Sequence, residues 1–347
     1  MKAFRIDHYK GELRQTDAPE PVVGDRDVLV RVRAAGVNQL DAKLAQGEFK
    51  ALFPYELPLT LGHDVAGVVE AVGSAVTRFS VGDEVFARAA DFHIGTFAER
   101  IAIAEADAAR TPASLTMVEA ASLPLVALTA WQALVERGGL QAGQRVLIHG
   151  GAGGFGSIAI QLARHLGAHV ATTASGPNAE WLRELGADEV IDYRSQRFDE
   201  LLSGYDLVID GLGGENLERS LRILKPGGRA IGLAGPPDPA FAEQVGLNPG
   251  LRLAIRGLSA AVRRQARRLG VDYSFLWMRA DGARLAEIAA LVDAGALHPV
   301  VGRVFPFAET PAALAALERG GIRGKVVVEL PAKAASTGQV RGSGQPV

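Results

Sequence analysis

Residues 145–166 read RVLIHGGAGGFGSIAIQLARHL. Val146, Leu147 and Ile148 make an apolar run of strand length, and from Ser157 onward apolar residues recur at helical spacing. Between the two lies a G-x-G-x-x-G turn at Gly151, Gly153 and Gly156. The first glycine permits a tight turn, the second lets backbone approach a pyrophosphate, and the third lets helix pack closely on strand. With Gly154 and Phe155 between them, these residues are expected to offer amides and the positive end of a helix to the phosphates of a dinucleotide. A flexible glycine linker has the same composition, but it has no strand before it and no helix after it.

The alternation continues downstream. HVATTAS reads as a strand, NAEWLRELG as a helix, EVIDY and YDLVID as strands, LERSLRIL as a helix and RAIGLAG as a strand. Strands and helices in this order demand right-handed crossovers and a parallel sheet covered on both faces, so the fold class is α/β, a doubly wound parallel sheet of the nucleotide-binding pattern. Upstream, from residue 2 to about 110, short runs such as DVLVRVRAAGV and HDVAGVVEAVG stand between Gly, Pro and Asp turns, as in an irregular β-rich domain. MVEAASLPLVALTAWQALVERGGL carries helical periods that break at Pro124. After residue 236 come one or two helices, an aromatic strand VDYSFLWM, a helix, the strand GRVFPF, another helix and the strand KVVVEL. Lacking a phosphate loop of their own, the last of these pieces are expected to rejoin the first domain. The stretch from residue 332, rich in Gly, Ser and Gln, is expected to be disordered.

The dinucleotide is selected about 20 residues beyond the turn, where an Asp or Glu would hydrogen-bond the ribose 2′-hydroxyl of NAD. The strand HVATTAS ends instead in Ala174 and Ser175. A 2′-phosphate would meet no repulsion there, and Ser175, Asn178, Tyr193 or Arg194 could donate to it, which favours NADP. Ser175 and Asn178 are equally suited to capping the next helix.

Composition narrows the chemistry. At 347 residues the chain is sized for about two domains, and 48% hydrophobic with 22% charged residues is the balance of a globular protein with a large core. Lysine and arginine total 37 against 39 acidic residues, a net charge of −2 that demands neither nucleic acid nor an anionic membrane as partner. With no cysteine, disulfides, thiolate zinc sites, iron–sulfur clusters and cysteine nucleophiles are excluded. No run approaches the length of a membrane span, and MKAFRIDHYK lacks the apolar core of a signal peptide, so the chain reads as cytosolic.

AAGVNQLDAKL (34–44), LGHDVAGVVEAVG (61–73), VGDEVFA (81–87), GTFAERIAI (95–103), the glycine turn, LKPGG (224–228) and GKVVVEL (324–330) occur in that order. Together they resemble the zinc-free quinone-oxidoreductase branch of the medium-chain dehydrogenase/reductase superfamily, from Lys2 to about Leu330. The resemblance implies a GroES-like catalytic domain (1–123 plus 280–331), a Rossmann cofactor domain (124–279) and a cleft between them for nicotinamide and substrate. Zinc members of the superfamily carry a cysteine in the segment matching AAGVNQLD, a histidine at the position of His63 and a cysteine near Leu125. Here Asn38 and Leu125 stand at the cysteine positions, leaving His63 short of the three protein ligands that a catalytic zinc needs, so no metal is expected. His165 and His169 share i,i+4 spacing, but Gly167 ends the helix between them.

Without a Lewis acid, alkoxide chemistry is difficult and hydride addition to a quinone or conjugated enone is favoured, its charge spreading onto a carbonyl oxygen. By the family comparison Asn38, Asp41 and Lys43 face the nicotinamide, with Asn38 a free donor; Asp41 and Lys43 would otherwise pair on a surface turn. Phe49 and Tyr55 fall where the branch places aromatic pocket residues, with Tyr55 a hydrogen-bond or proton donor or a packing group, and His63, without a metal role, is structural or pocket-lining rather than a general acid; Asn38, Tyr55 and His63 are the catalytic candidates. Thr129 is expected at the nicotinamide ribose, and Phe275 to Trp277 beside the carboxamide. The resemblance further suggests a homodimer joined at the sheet edge near VDYSFLW. Six arginines between residues 252 and 268 are expected to form a solvated face paired to nearby carboxylates rather than an anion or nucleic-acid surface. Two rival functions remain: an NADPH-binding structural or regulatory protein, crystallin-like or nucleic-acid-binding, and a zinc alcohol dehydrogenase.

Overall fold

The computed structural model describes residues 1–331; the expected disordered tail lies outside them. Six strands form one parallel sheet, in spatial order Glu189–Asp192, His169–Ala174, Arg145–His149, Tyr205–Asp210, Leu224–Gly232 and Asp272–Phe275. The third, second and first strands of this sheet in chain order lie to one side and the fourth to sixth to the other. The reversal falls between Arg145–His149 and Tyr205–Asp210, and ligands of open parallel sheets bind at that switch point. Val146, Leu147 and Ile148 are fully buried, as strands covered on both faces must be. The helix Gly154–His165 buries Ile158, Ala159, Ile160 and Leu162 against the sheet and ends at Gly167, whose positive φ of 80° closes its last turn. His165 thus ends a helix, while His169 opens the next strand and pairs with Glu189 at 2.7 Å.

A second, mostly antiparallel sheet runs Val301–Pro306, Lys325–Glu329, Asp27–Val37, Asp64–Val72, Glu84–Arg88 and Ala108–Arg110, with Arg100–Ala104 also pairing to Asp27–Val37. The C-terminal strand Lys325–Glu329 therefore lies directly on Asp27–Val37, with Val326 opposite Val37. Val28, Val30, Val65, Val85 and Phe97 fill the core beneath. A small sheet of Arg14–Asp17, Lys2–Ile6 and Leu59–Thr60 flanks it.

The two sheets meet at the glycine turn. Gly153 bridges Gly324, and the Gly324 amide donates to the Ala152 carbonyl at 2.9 Å. Two local expectations are corrected. Residues 237–270 form three helices, Pro239–Gln244, Pro249–Leu258 and Ala260–Leu269, the first two capped by Asp238 and Asn248. The expected strand VDYSFLWM is short, Asp272–Phe275, because after the Leu276 amide bonds the Gly232 carbonyl the chain leaves the sheet and delivers Trp277 to the cleft. No helix among the described residues is long and apolar enough to cross a membrane.

Candidate active site

The glycine turn is pinned from the neighbouring strand. Thr173 Oγ1 accepts from the Gly150 amide and the Thr173 carbonyl from the Gly151 amide, while the Thr172 hydroxyl donates to the Ile148 carbonyl. His149, just before the turn, lies between Thr173 Oγ1 (3.0 Å) and Ser220 Oγ (2.9 Å), and burial holds its imidazole below the ordinary histidine range despite Asp210. A Cβ on Gly156 would sit 2.6 Å from the Gly151 Cα, so the third glycine is there for packing. A Cβ on Gly153 would meet nothing closer than the Gly150 carbonyl at 3.5 Å. The second glycine thus faces open space. Gly153, Gly154 and Phe155 are partly exposed and, among the described residues, no side chain caps the helix start, an arrangement that can receive an anion.

Beside the turn lies a buried polar cluster. Asn38, Asp41, His63, Asp64 and Lys325 are each 5% exposed or less. Lys325 Nζ donates to Asn38 Oδ1 at 2.5 Å and to the Val37 carbonyl at 3.0 Å, and lies 3.3 Å from Asp64 Oδ2. Asn38 Nδ2 donates to Asp64 Oδ2 at 2.9 Å, and Asp64 Oδ1 accepts the Leu125 amide at 2.8 Å. Burial pushes the Asp64 carboxyl above the ordinary range, against the pull of Lys325. Asp41 accepts the Asn38 amide at 2.8 Å and holds His63 Nδ1 at 2.5 Å. The expectation of Asn38 as a free donor is therefore corrected: its carboxamide is engaged at both ends. Asp41 and Lys43 do not pair either, since Asp41 points inward and Lys43 reaches Glu48 on the surface at 3.3 Å. The Thr129 hydroxyl donates to its own helix at the Leu125 carbonyl, 2.6 Å away.

An aromatic wall spans the cleft. Trp277 stacks on Phe53 (centroids 4.8 Å apart, 15° between planes), meets Phe49 edge-on at 5.2 Å, and donates its indole N–H to Asp91 at 2.8 Å. Phe275 lies behind, edge-on to Phe241 at 5.3 Å. Tyr55 sits beside Phe92, whose amide donates to the Tyr55 oxygen at 3.2 Å, so the phenolic hydrogen remains to be given elsewhere. Burial pushes the Tyr55 hydroxyl up to about 12.

At the far end of the turn, Asn178 Nδ2 donates to Ser175 Oγ at 2.9 Å, and Asn178 Oδ1 accepts from Arg323 Nε at 2.6 Å. Tyr193 and Arg194 are exposed on the next loop. Asp192 is brought there too: a Cβ on Gly176 would lie 2.7 Å from its carboxylate.

Comparisons with known proteins fit this geometry. Residues 24–113 match the alcohol dehydrogenase GroES-like domain and residues 185–328 the zinc-binding dehydrogenase family. A mitochondrial NAD(P)H oxidoreductase of Danio rerio is 36% identical over 95% of this chain and 91% of its own length. The chloroplastic NADPH-dependent alkenal/one oxidoreductase of Arabidopsis thaliana is 35% identical over 94% of this chain and 79% of its own. The solved quinone oxidoreductase of Coxiella burnetii superposes with a TM-score of 0.82 at 31% identity, covering 95% of this chain and 99% of that one. The chain belongs to the quinone oxidoreductase branch of the medium-chain dehydrogenase/reductase superfamily. It is an oxidoreductase that uses a nicotinamide cofactor.

Within that superfamily, three features of this member escaped the sequence. Lys325 stands in the GKVVVEL motif, yet its contacts with Asn38 and Asp64 span 287 and 261 residues. Arg323 reaches Asn178 from the other sheet. Asp192 ends a strand adjacent to the one read for cofactor choice. Arg323 and Lys325, two cations framing Gly324 where the strand Lys325–Glu329 begins, are the sequence signal for the first two.

Proposed function

We propose that this oxidoreductase uses NADPH to reduce quinones or α,β-unsaturated carbonyl compounds by hydride transfer without a metal ion. The observation that carries the reading is the Lys325 ammonium between Asn38 and Asp64, at the place where zinc members gather their ligands. A divalent cation there would face that ammonium, and among the described residues no three His, Cys, Asp or Glu groups converge to hold one. The donor set does not fit zinc. It fits a dinucleotide, since the space left by Gly153 and the uncapped helix start suit a pyrophosphate.

Bound at the turn, the cofactor supplies the hydride. The chain's own residues do the rest. The aromatic wall excludes water and lies flat against a conjugated substrate. Tyr55 keeps its hydrogen through neutral pH, because burial holds its hydroxyl at about 12, and can donate it to a carbonyl oxygen that gains charge. Lys325, Asn38 and Asp64 fix the loop on which the wall begins. Ser175, Asn178 and Arg323 offer donors to a 2′-phosphate, which supports NADPH. Asp192 favours a second reading, NADH, because its carboxylate lies near the same place. The same proposal takes residues 1–123 plus 280–331 as the GroES-like body, 124–279 as the cofactor body, and a cytoplasmic homodimer as the working form.

The test is a spectrophotometric assay of the purified chain with NADPH and NADH against a panel of quinones and enones, with elemental analysis alongside. NADPH is expected to bind more tightly and to be consumed, and Tyr55→Phe to lower kcat about tenfold, the scale of one hydrogen bond, with cofactor affinity unchanged. Binding without turnover, or stoichiometric zinc with alcohol-dependent reduction of NADP, would overturn the proposal. Equal affinity for both cofactors would remove the NADPH assignment.

A further inference from the structure

The helices Pro249–Leu258 and Ala260–Leu269 carry Arg252, Arg256, Arg263, Arg264, Arg267 and Arg268. No aspartate or glutamate occurs between Glu243 and Asp272. The segment's charge is +6, so the rest of the chain carries −2 − 6 = −8. Among the described residues the expected pairing to carboxylates does not form. Among the described residues the polar contacts of this group are with neighbouring backbone and hydroxyl oxygens: Arg252 on the Leu247 carbonyl, and Arg263 on Ser259 Oγ and the Arg256 carbonyl. Ile255 is buried toward Phe241, and Val262 and Ala266 are buried in the core of the parallel sheet, which turns most of the arginines outward. Leucines are exposed among them, Leu253 at 72% and Leu258 at 64%.

We propose that this helix pair is a docking surface for an anionic phospholipid bilayer. Charge complementarity selects the occupant: six unneutralised guanidinium groups suit a sheet of phosphodiesters, and the exposed leucines suit the acyl boundary just beneath. A nucleic acid would satisfy the arginines but leave the leucines in water, and residues 244–271 hold no aromatic side chain on which a base could stack. A second copy docked by two-fold symmetry through this patch would set +6 against +6. Ile255 backs onto the cluster that holds Phe53 and Trp277, while the exposed arginines and leucines point away from it, so vesicle binding is read without turnover.

The experiment is co-sedimentation of the full chain with vesicles of phosphatidylcholine alone and of three parts phosphatidylcholine to one part phosphatidylglycerol, at low and high salt. Binding is expected to the mixed vesicles only and to fall with salt. Arg264→Gln/Arg267→Gln/Arg268→Gln is expected to weaken it about a hundredfold, at about fivefold per arginine. Leu253→Ser/Leu258→Ser should remove the part that resists salt. Melting temperature and mass in solution, unchanged in both variants, verify that each is folded. Equal binding to both vesicle types, no binding to the mixed vesicles, or a triple variant that binds as the parent does would overturn the proposal. So would tight binding of an RNA homopolymer in place of vesicles, or a change in mass of the triple variant, which would make the patch a nucleic-acid site or an interface between copies.

Discussion

Lys325 joins Val37, Asn38 and Asp64 in the buried cluster beside the glycine turn. It is 5% exposed and Asp64 is fully buried, so Lys325→Met would strand a carboxylate in the interior at a cost of roughly 3–5 kcal/mol. The sign with pH follows from Asp64, whose carboxyl already stands above its unfolded value and would rise further without the ammonium. A group with a raised folded value binds its proton more tightly in the native state, so acid relieves the penalty. Urea denaturation of Lys325→Met is therefore expected to show a larger deficit at pH 8 than at pH 5, and Lys325→Met/Asp64→Asn a smaller deficit than Lys325→Met alone. A deficit that is flat with pH would assign the loss to packing. At this scale the sequence was a partial guide. Asn38, Asp41 and His63, singled out through the family comparison, lie in one buried cluster, but whether Asn38 is free or engaged depends on a strand 287 positions later, and no local pattern encodes that.

The elements were far more legible. Parallel strands buried on both faces read as unbroken apolar runs, and the glycine turn announced its own boundaries through the helix that follows. What resisted was geometry between elements: the three helices of 237–270 have no sheet period to align them, and the aromatic wall joins Phe49 and Phe53 to Trp277 across more than 200 positions. The turn itself permits a clean separation of folding from binding. Gly153 has an ordinary φ of −78° and open space before it, so Gly153→Ala should leave stability within about 0.5 kcal/mol of the parent while weakening NADPH tenfold or more. Gly156→Ala, with its Cβ driven onto the Gly151 backbone, should cost roughly 1–3 kcal/mol of stability as well. Thermal melts beside fluorescence titrations check both. If Gly153→Ala bound NADPH as the parent does, the turn would not be the pyrophosphate site.

For the molecule as a whole, the family resemblance and the topology point the same way on assembly. Among the described residues the strand Asp272–Phe275 has a neighbour on one side only, Leu224–Gly232, and an unpaired edge of this kind invites a second copy. Light scattering is expected to give twice the 36.5 kDa chain mass, and a value of 36.5 kDa would remove the dimer. The Gly324 amide on the Ala152 carbonyl and the stem of Lys325 against Gly154 tie the glycine turn of one sheet to a strand of the other. A coenzyme seated at the turn would therefore brace both sheets at once, and its addition is expected to slow amide exchange at Gly324 and Lys325 as well as at Gly153 and Gly154.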